Sequence, residues 1–160
     1  MGKDALEKEF ENIIRDYGNI VSKICYSFSS DSEEFKDLQQ EVFFNIWKGL
    51  PRFRHDSKIS TWIYRISFNS CISFQRKEKL FNKVNVDNLS SMADDSTSKL
   101  SNYKEMLSMI RKLNYKDRAI ILMWLDDLTY EEIAQLTGHN RNTIATRLRR
   151  IKGMLVKMNA

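Results

Sequence analysis

The segment that most constrains the fold of this 160-residue chain covers residues 130–155. Ala134, Gly138 and Ile144 follow one another at spacings of four and six residues, which is typical of two short helices joined by a tight turn. The small residue permits close approach of the helices, glycine accommodates the turn, and the branched residue packs the second helix onto the first. Residues 141–157 contain six basic residues and no acidic one. The pattern therefore predicts a helix-turn-helix whose basic second helix enters the DNA major groove.

Charge is unevenly distributed along the chain. A net charge of +5 and a pI near 9.2 are by themselves weak evidence for a polyanionic partner. Residues 1–80 contain 13 Lys and Arg against 12 Asp and Glu, whereas residues 101–160 contain 11 against 6. The basic excess thus lies in the part that holds the helix-turn-helix, which favours a nucleic acid as the partner of that part.

Several classes of protein are disfavoured by what the chain lacks. Cys25, Cys71 and the two histidines show no spacing typical of zinc ligands, so we expect reduced thiols and no metal or other cofactor. The longest purely apolar run, residues 119–125, has seven residues and is too short to cross a bilayer. The N-terminal segment lacks the apolar stretch of a secretory signal. We therefore expect a cytoplasmic protein with no stable membrane insertion.

The distribution of helix breakers predicts an all-α fold. The chain contains one proline and five glycines, and no stretch alternates long enough between apolar and polar residues to suggest a strand. Residues 84–98 are polar and aperiodic, as is typical of a linker. The sequence thus predicts two small helical domains, residues 1–80 and 100–160, joined by a flexible linker over residues 81–99. The predicted helices cover residues 6–28, 31–50, 60–79, 100–113, 116–125, 130–137 and 141–158.

The basic helix of the helix-turn-helix has two distinct faces. Its predicted buried stripe recurs at spacings of four, three and four residues and consists of Ile144, Leu148, Ile151 and Leu155. On the other face, side chains of the first turns would reach base edges, while the later arginines would meet phosphates. The alternative is a solvated basic face on a core helix, but the turn spacing favours DNA binding.

A second surface is predicted on the helix that begins near residue 31. Asp37, Gln40 and Glu41 lie at i, i+3 and i+4 and share a polar face. Phe43 and Trp47 border that face, and a partly exposed aromatic pair beside acids suits contact with another protein. These residues alone nevertheless favour an ordinary amphipathic helix without such a partner. The opposed apolar stripe consists of Leu38, Val42 and Ile46.

A third surface is predicted on the helix within residues 58–79. Aromatic, amide and guanidinium groups on one side of this helix suit a single-stranded nucleic acid, because bases stack on the ring and phosphates meet the cations. The residues are equally compatible with Trp62 and Phe68 as core aromatics and a solvated basic end. One side carries Trp62, Arg65, Asn69, Ser73 and Arg76, and another carries Ile59, Ile63 and Ile66.

Three segments resemble, in order, the motifs of one known family, the extracytoplasmic-function (ECF) type of bacterial sigma factor. Residues 37–47 (DLQQEVFFNIW) are similar to its core-binding segment and residues 61–69 (TWIYRISFN) to its promoter-melting helix. Residues 128–155 are similar to its C-terminal helix-turn-helix, although the family often has Lys or Arg where this chain has Ala145. This type is the smallest class of RNA polymerase specificity subunit, with a region 2 domain followed by a region 4 domain.

The resemblance implies a partner for each surface. Core RNA polymerase would be bound through its β′ clamp helices and its β subunit, and promoter DNA both as duplex and as melted strand, while an anti-sigma factor is expected. The polymerase-binding residues would be Asp37, Gln40, Glu41, Phe43 and Trp47. The melted minus-ten strand would be held by Lys58, Ser60, Trp62, Arg65, Asn69 and Arg76, with Asn69 lining a pocket for a flipped base. The minus-thirty-five element would be read by Arg141, Asn142, Thr143, Thr146, Arg147, Arg149 and Arg150.

Three other functions fit parts of the sequence. A stand-alone helix-turn-helix regulator would use the basic helix, but it leaves residues 37–47 and the Trp62 side of the third surface without a purpose. An enzyme acting on nucleic acid is disfavoured, because His55 and His139 have no evident partner base and we identify no catalytic residues. A pure interaction module would bind an acidic protein through the basic helix.

Overall fold

The computed structural model describes residues 2–81 and 98–159. Every regular element in these residues is a helix, which confirms the predicted all-α fold. The helices are α1 (Lys3–Phe28), α2 (Ser32–Gly49), α3 (Ile59–Phe81), α4 (Ser98–Arg111), α5 (Tyr115–Leu125), α6 (Tyr130–Thr137) and α7 (Arg141–Met158), with a 3₁₀ turn at Leu50–Arg52. The chain divides into two compact units, Met1–Met92 and Ala93–Ala160, so that α1–α3 belong to the first and α4–α7 to the second.

The predicted linker over residues 81–99 lies almost wholly outside the described residues. α3 extends to Phe81 and α4 begins at Ser98, so only the two margins of that range are described, as helix ends. The linker and the domain boundaries at residues 80 and 100 therefore stay predictions. Within the two described ranges, no helix combines the length and apolar character needed to cross a membrane.

The first unit is a three-helix bundle with an apolar interior. Each of α1, α2 and α3 packs against the other two. The Phe28 ring at the end of α1 meets the Phe68 ring of α3 edge-on, with centroids 6.1 Å apart, a favourable geometry for aromatic pairs. The predicted apolar stripe of α2 is fully buried and consists of Leu38, Val42 and Ile46.

Side-chain hydrogen bonds connect α2 to its neighbours at the border of the core. The Gln39 amide donates to Ser22 Oγ of α1 at 2.6 Å, and the Asn45 amide donates to Ser70 Oγ of α3 at 2.9 Å. Bonds of this kind contribute on the order of 1 kcal/mol each to stability. Because they lie on two sides of α2, they fix its rotation and therefore which of its residues face outward.

Capping side chains fix where the helices begin. Asp31 accepts a hydrogen bond from the Glu34 N–H at 2.7 Å, at the predicted start of α2. Asn114 accepts one from the Asp117 N–H at 2.9 Å, so α5 begins at Tyr115 rather than at residue 116. The other helix limits differ from the predicted ones by at most three residues at either end. Such differences are usual where polar residues extend an apolar pattern.

The second unit is built around α5. Residues 119–123 of this helix are all buried, which accounts for the apolar run found in the sequence. α4, α6 and α7 all pack against it. α7 supplies Ile144, Leu148 and Ile151, which are fully buried as predicted, whereas Leu155 is half-buried.

α6 and α7 form the predicted helix-turn-helix. Thr129 begins it with a capping box, in which Thr129 Oγ1 accepts from the Glu132 N–H at 3.1 Å and the Glu132 carboxylate accepts from the Thr129 N–H at 3.0 Å. α6 ends at Gly138, whose φ of 81° is left-handed and whose N–H donates to the Ala134 carbonyl at 2.9 Å. Asn140 then caps α7 by accepting a backbone hydrogen bond at 2.8 Å. The turn between α6 and α7 is thus fixed at both of its ends, by Gly138 and by Asn140.

Gly138→Ala is expected to lower the free energy of unfolding by about 1–2 kcal/mol, because a β-carbon disfavours left-handed backbone. Beyond the two neighbouring residues in the chain, no heavy atom lies within 4 Å of the position that the new Cβ would take, so the loss reflects local backbone strain and not a clash with another part of the fold. Gly138→Asn is the matched control and should lose less, since asparagine adopts this conformation more readily. Chemical denaturation followed by circular dichroism measures both variants, and equal losses would contradict this explanation.

Candidate nucleic-acid and protein interfaces

The outward side of α2 carries the predicted polar residues together with an aromatic ring. Asp37, Gln40 and Glu41 are exposed. Phe44 is 54% exposed, and the Lys48 Nζ lies 4.9 Å from its ring centroid. The side chains of Asp37, Gln40, Glu41 and Phe44, called here the α2 face, therefore offer acids, an amide and an accessible ring side by side. This combination suits a contact with another protein.

The two aromatic residues predicted at the border of α2, Phe43 and Trp47, are half-buried. The Trp47 ring packs edge-on against Phe10 of α1, with centroids 5.3 Å apart. Trp47 thus helps to hold α1 and α2 together, and a part of its surface stays accessible. Phe44 is not among the predicted polymerase-binding residues, although its place four residues after Gln40 was a usable signal.

The Trp62 ring, predicted to stack on a base, packs against other residues of the chain. Its centroid lies 4.8 Å from that of Phe53, which in turn lies 4.5 Å from that of His55. His55 has a φ of 60°, an uncommon left-handed conformation for a residue with a side chain. Gly49 makes room for the indole, since a Cβ there would lie 3.0 Å from Trp62 Cζ2. The contacting rings of His55, Phe53 and Trp62 thus hold the loop of residues 53–58 against α3.

The polar residues predicted on α3 remain accessible. Asn69, Ser73 and Arg76 are exposed on successive turns, and Arg65 is half-buried one turn earlier. Phe68 lies in the core, which turns the neighbouring Asn69 outward. The residues Arg65, Asn69, Ser73 and Arg76 are called here the α3 strip. Ahead of this strip, the exposed Lys58 and the half-buried Ser60 lie at the start of α3.

α7 presents a basic face opposite its buried stripe. Lys152 is turned away from that face, because its Nζ lies 3.8 Å from the centroid of the Trp124 ring of α5. Of the predicted DNA contacts, the exposed ones are Arg141, Asn142, Thr146, Arg149 and Arg150, and the half-buried ones are Thr143 and Arg147. These residues are called here the α7 face.

Arg150 on the α7 face is anchored to the body of the second unit. Its Nη2 donates to both carboxylate oxygens of Asp117 in α5, at 3.2 and 3.3 Å. The Asp117 side chain is only 3% exposed, whereas that of Arg150 is 59% exposed. The Asn114 amide also donates to Asp117, at 3.1 Å. This ion pair therefore contributes to the orientation of α7 on α5, a role that the spacing along α7 could not reveal.

Arg141 is held at the first position of α7 by two residues of α6. Its Nε donates to Glu131 Oε1 at 2.6 Å, and its guanidinium carbon lies 5.4 Å from the centroid of the Tyr130 ring. Hydrogen bonds from the backbone N–H of Glu131 and from Arg141 lower the pKa of the Glu131 carboxyl. Glu131 is therefore ionised at neutral pH, and the pair is a charged one.

Comparisons with known proteins match both parts of the chain to one family. The family described as sigma-70 region 2 matches residues 13–81, and the family described as sigma-70, region 4 matches residues 103–155. This chain belongs to the sigma-70 family. The region 2 match covers most of α1 and all of α2 and α3, and the region 4 match extends from α4 into the last turns of α7.

Curated relatives identify the type of sigma factor. The chain is 29% identical to the RNA polymerase sigma factor SigV of Bacillus subtilis (strain 168), over 91% of this chain and 88% of the relative. It is 26% identical to the ECF RNA polymerase sigma factor SigW of the same organism, over 92% and 87%. The predicted ECF type is thereby confirmed. The chain is an ECF-type sigma factor, a subunit that directs core RNA polymerase to promoters for transcription initiation, and the stand-alone regulator finds no support.

A solved structure supports the fold of this sigma factor. It is the co-crystal structure of the sigma factor RpoE in complex with the anti-sigma factor NepR from Bartonella quintana. The match has a TM-score of 0.79 at 21% identity and covers 94% of this chain and 96% of RpoE. At this identity the likeness concerns the fold.

Proposed function

We propose that this sigma factor initiates transcription through three surfaces, the α2 face, the α3 strip and the α7 face. The observation that supports this division is that each surface consists of exposed or half-buried side chains and lies opposite the buried side of its helix. The helices are therefore anchored by one side and are free to present the other to a partner. Residues 1–80 would act as region 2, residues 100–160 as region 4, and residues 81–99 as the linker.

The α2 face would bind the β′ clamp helices of core RNA polymerase. Phe44 supplies the accessible ring that could fill an apolar pocket of the partner, and Gln40 and Glu41 supply polar groups around it. The half-buried Phe43 and Trp47 would support this face from the side of the core. The second unit would in addition contact the β subunit.

The α3 strip would hold the melted minus-ten strand. Arg65 and Arg76 would meet phosphates, and the Asn69 amide would bond the edge of a base turned out of the stack. Unstacking one base costs a few kcal/mol, which contacts in the pocket must offset. Trp62 would act mainly by keeping the loop of residues 53–58 in place, since its half-buried ring packs against Phe53.

The α7 face would read the minus-thirty-five element. Arg141 and Asn142 lie in the first turn, where the recognition helix of a helix-turn-helix meets base edges, and Thr146 follows one turn later. Arg147 and Arg149 would bind phosphates and make the affinity depend on salt. Because both units would be held on one polymerase, two individually weak DNA contacts would act together.

This mechanism involves no covalent chemistry, so the protein would act as a binding subunit and not as an enzyme. It would work in the cytoplasm, where core polymerase and promoter DNA are found. An anti-sigma factor is a further expected partner, by analogy with RpoE, whose solved structure contains one. Such an antagonist would act by covering one or more of the three surfaces.

The proposal is tested with the full chain and purified core RNA polymerase. We expect the two to form a stable complex and the complex to transcribe selected promoters that core polymerase alone does not transcribe. Size-exclusion chromatography measures formation of the complex, and run-off transcription measures initiation at the promoters. Specific duplex binding by the protein alone, without any association with core polymerase, would contradict the proposal.

A further inference from the structure

We propose that Glu131 and Tyr130 of α6 position Arg141 so that it reads a guanine within the minus-thirty-five element. The inference rests on the proposed DNA-binding role of the α7 face. It concerns one base position and two residues that do not themselves need to touch DNA. Glu131 and Tyr130 would thus be positioning residues for the specificity of the sigma factor.

Arg141 lies at the first position of α7, which is the positive end of this helix. A cation at the first helical position is disfavoured by the macrodipole, and no acidic residue occurs in the first turn of α7. The compensating charge comes instead from α6, through the Glu131 carboxylate at 2.6 Å. An arginine that is unfavourable within its own helix and is held by a second helix is better explained by recognition than by helix stability.

The guanidinium group of Arg141 is held through its side nitrogen, Nε. Glu131 accepts from Arg141 Nε, and Tyr130 lies against the guanidinium carbon at 5.4 Å from the ring centroid. The two terminal nitrogens do not take part in this ion pair. These two nitrogens are the ones that make a bidentate contact with O6 and N7 of guanine in the major groove. The ion pair with Glu131 therefore uses Nε and leaves the two terminal nitrogens of Arg141 available for contact with a base.

Glu131 and Arg141 each lie at the capped start of a helix, where the backbone is fixed. Glu131 lies in the first turn of α6, inside the capping box between Thr129 and Glu132. Arg141 directly follows Asn140, which caps α7. The geometry between the two side chains is therefore set by two capped helix starts. Because the ion pair is exposed, its contribution to folding stability is small, and its main consequence is the direction of the guanidinium group.

The test is selection of duplex DNA from a randomised minus-thirty-five library by the complex of the full chain with core polymerase. Wild type is expected to select guanine at one position. Arg141→Ala and Arg141→Lys should reduce that preference about tenfold or more, because lysine cannot make the bidentate contact. Glu131→Gln should reduce it about threefold at that position alone, in keeping with the modest strength of exposed ion pairs. The double variant Glu131→Gln/Arg141→Ala should resemble Arg141→Ala.

The matched control is Asp16→Asn in α1, which removes the same charge from an exposed ion pair with Arg15. It should leave every base preference unchanged. A uniform loss of affinity with Arg141→Ala, across all sequences, would make Arg141 a phosphate contact and overturn the inference. So would an unchanged guanine preference in Glu131→Gln, and both results would leave the proposed function intact. If wild-type complex selects no sequence at all, the proposed role of the α7 face fails first.

Discussion

Phe44→Ala is expected to weaken binding of this sigma factor to core RNA polymerase by about 30-fold, while leaving its folding stability almost unchanged. Truncation of a central aromatic residue at an interface typically costs about 2 kcal/mol, which corresponds to that change in Kd. The ring is 54% exposed in the isolated chain, so its loss removes little packing from the bundle. Fluorescence anisotropy of the labelled protein titrated with core polymerase measures the affinity, and thermal unfolding measures the stability.

Trp47→Ala would test the same interface less cleanly. Its ring contacts Phe10, so truncation would also destabilise the packing of α1 on α2 by about 2 kcal/mol. Ile14→Ala is the better control, because Ile14 is 41% exposed on α1 and lies outside the α2 face. We expect it to leave both the affinity and the stability nearly unchanged. Equal affinities of Phe44→Ala and wild type for core polymerase would exclude Phe44 from the interface.

The buried side of each helix could be predicted because it depends on local spacing. Leu38, Val42 and Ile46 share one face of any helix, as do Ile144 and Leu148, and the structure buries all of them. Gly138 and the capping residues are similarly local, since their effects extend over about one turn. The positions of the helices and of the helix-turn-helix therefore followed from the sequence to within a few residues.

The exposed side could be predicted only in part, because its final form depends on residues far away in the chain. Spacing alone placed Trp47 on the border of α2, but the contact with Phe10 decides how much of its ring is covered. The same holds for Arg150, whose partner Asp117 lies 33 positions earlier. Trp47 and Arg150, which were both predicted to bind a partner, therefore also stabilise the packing of helices.

The sequence also could not decide whether Trp62 stacks on a base or packs within the protein. Stacking on a base and packing in the protein require the same residue type, and periodicity cannot distinguish them. The structure brings Phe53 and Gly49 to the ring, which favours packing. In the proposed function, recognition of the melted strand would therefore depend mainly on the polar residues of the α3 strip, above all on Asn69.

Asn69→Ala is therefore expected to lower the affinity of the polymerase complex for melted minus-ten DNA by about 10- to 100-fold. Such a change corresponds to the loss of a well-formed contact to a base edge. Asn69 is exposed and forms no hydrogen bond among the described residues, so its replacement should not destabilise the bundle. Binding to a fork-junction template with a single-stranded minus-ten element, compared with the fully paired template, measures the effect.

Asn45→Ala provides the matched control, because the two asparagines differ mainly in what their amides bind. The Asn45 amide donates to Ser70 Oγ at 2.9 Å, so its loss should lower the free energy of unfolding by about 1 kcal/mol. It should leave the ratio of affinities for the fork-junction and paired templates unchanged. Asn69→Ala should show the reverse, with unchanged stability and a reduced ratio. If both variants reduced stability and neither altered the ratio, Asn69 would be a structural residue, and the melted strand would have to be recognised by other residues of α3 or of the preceding loop.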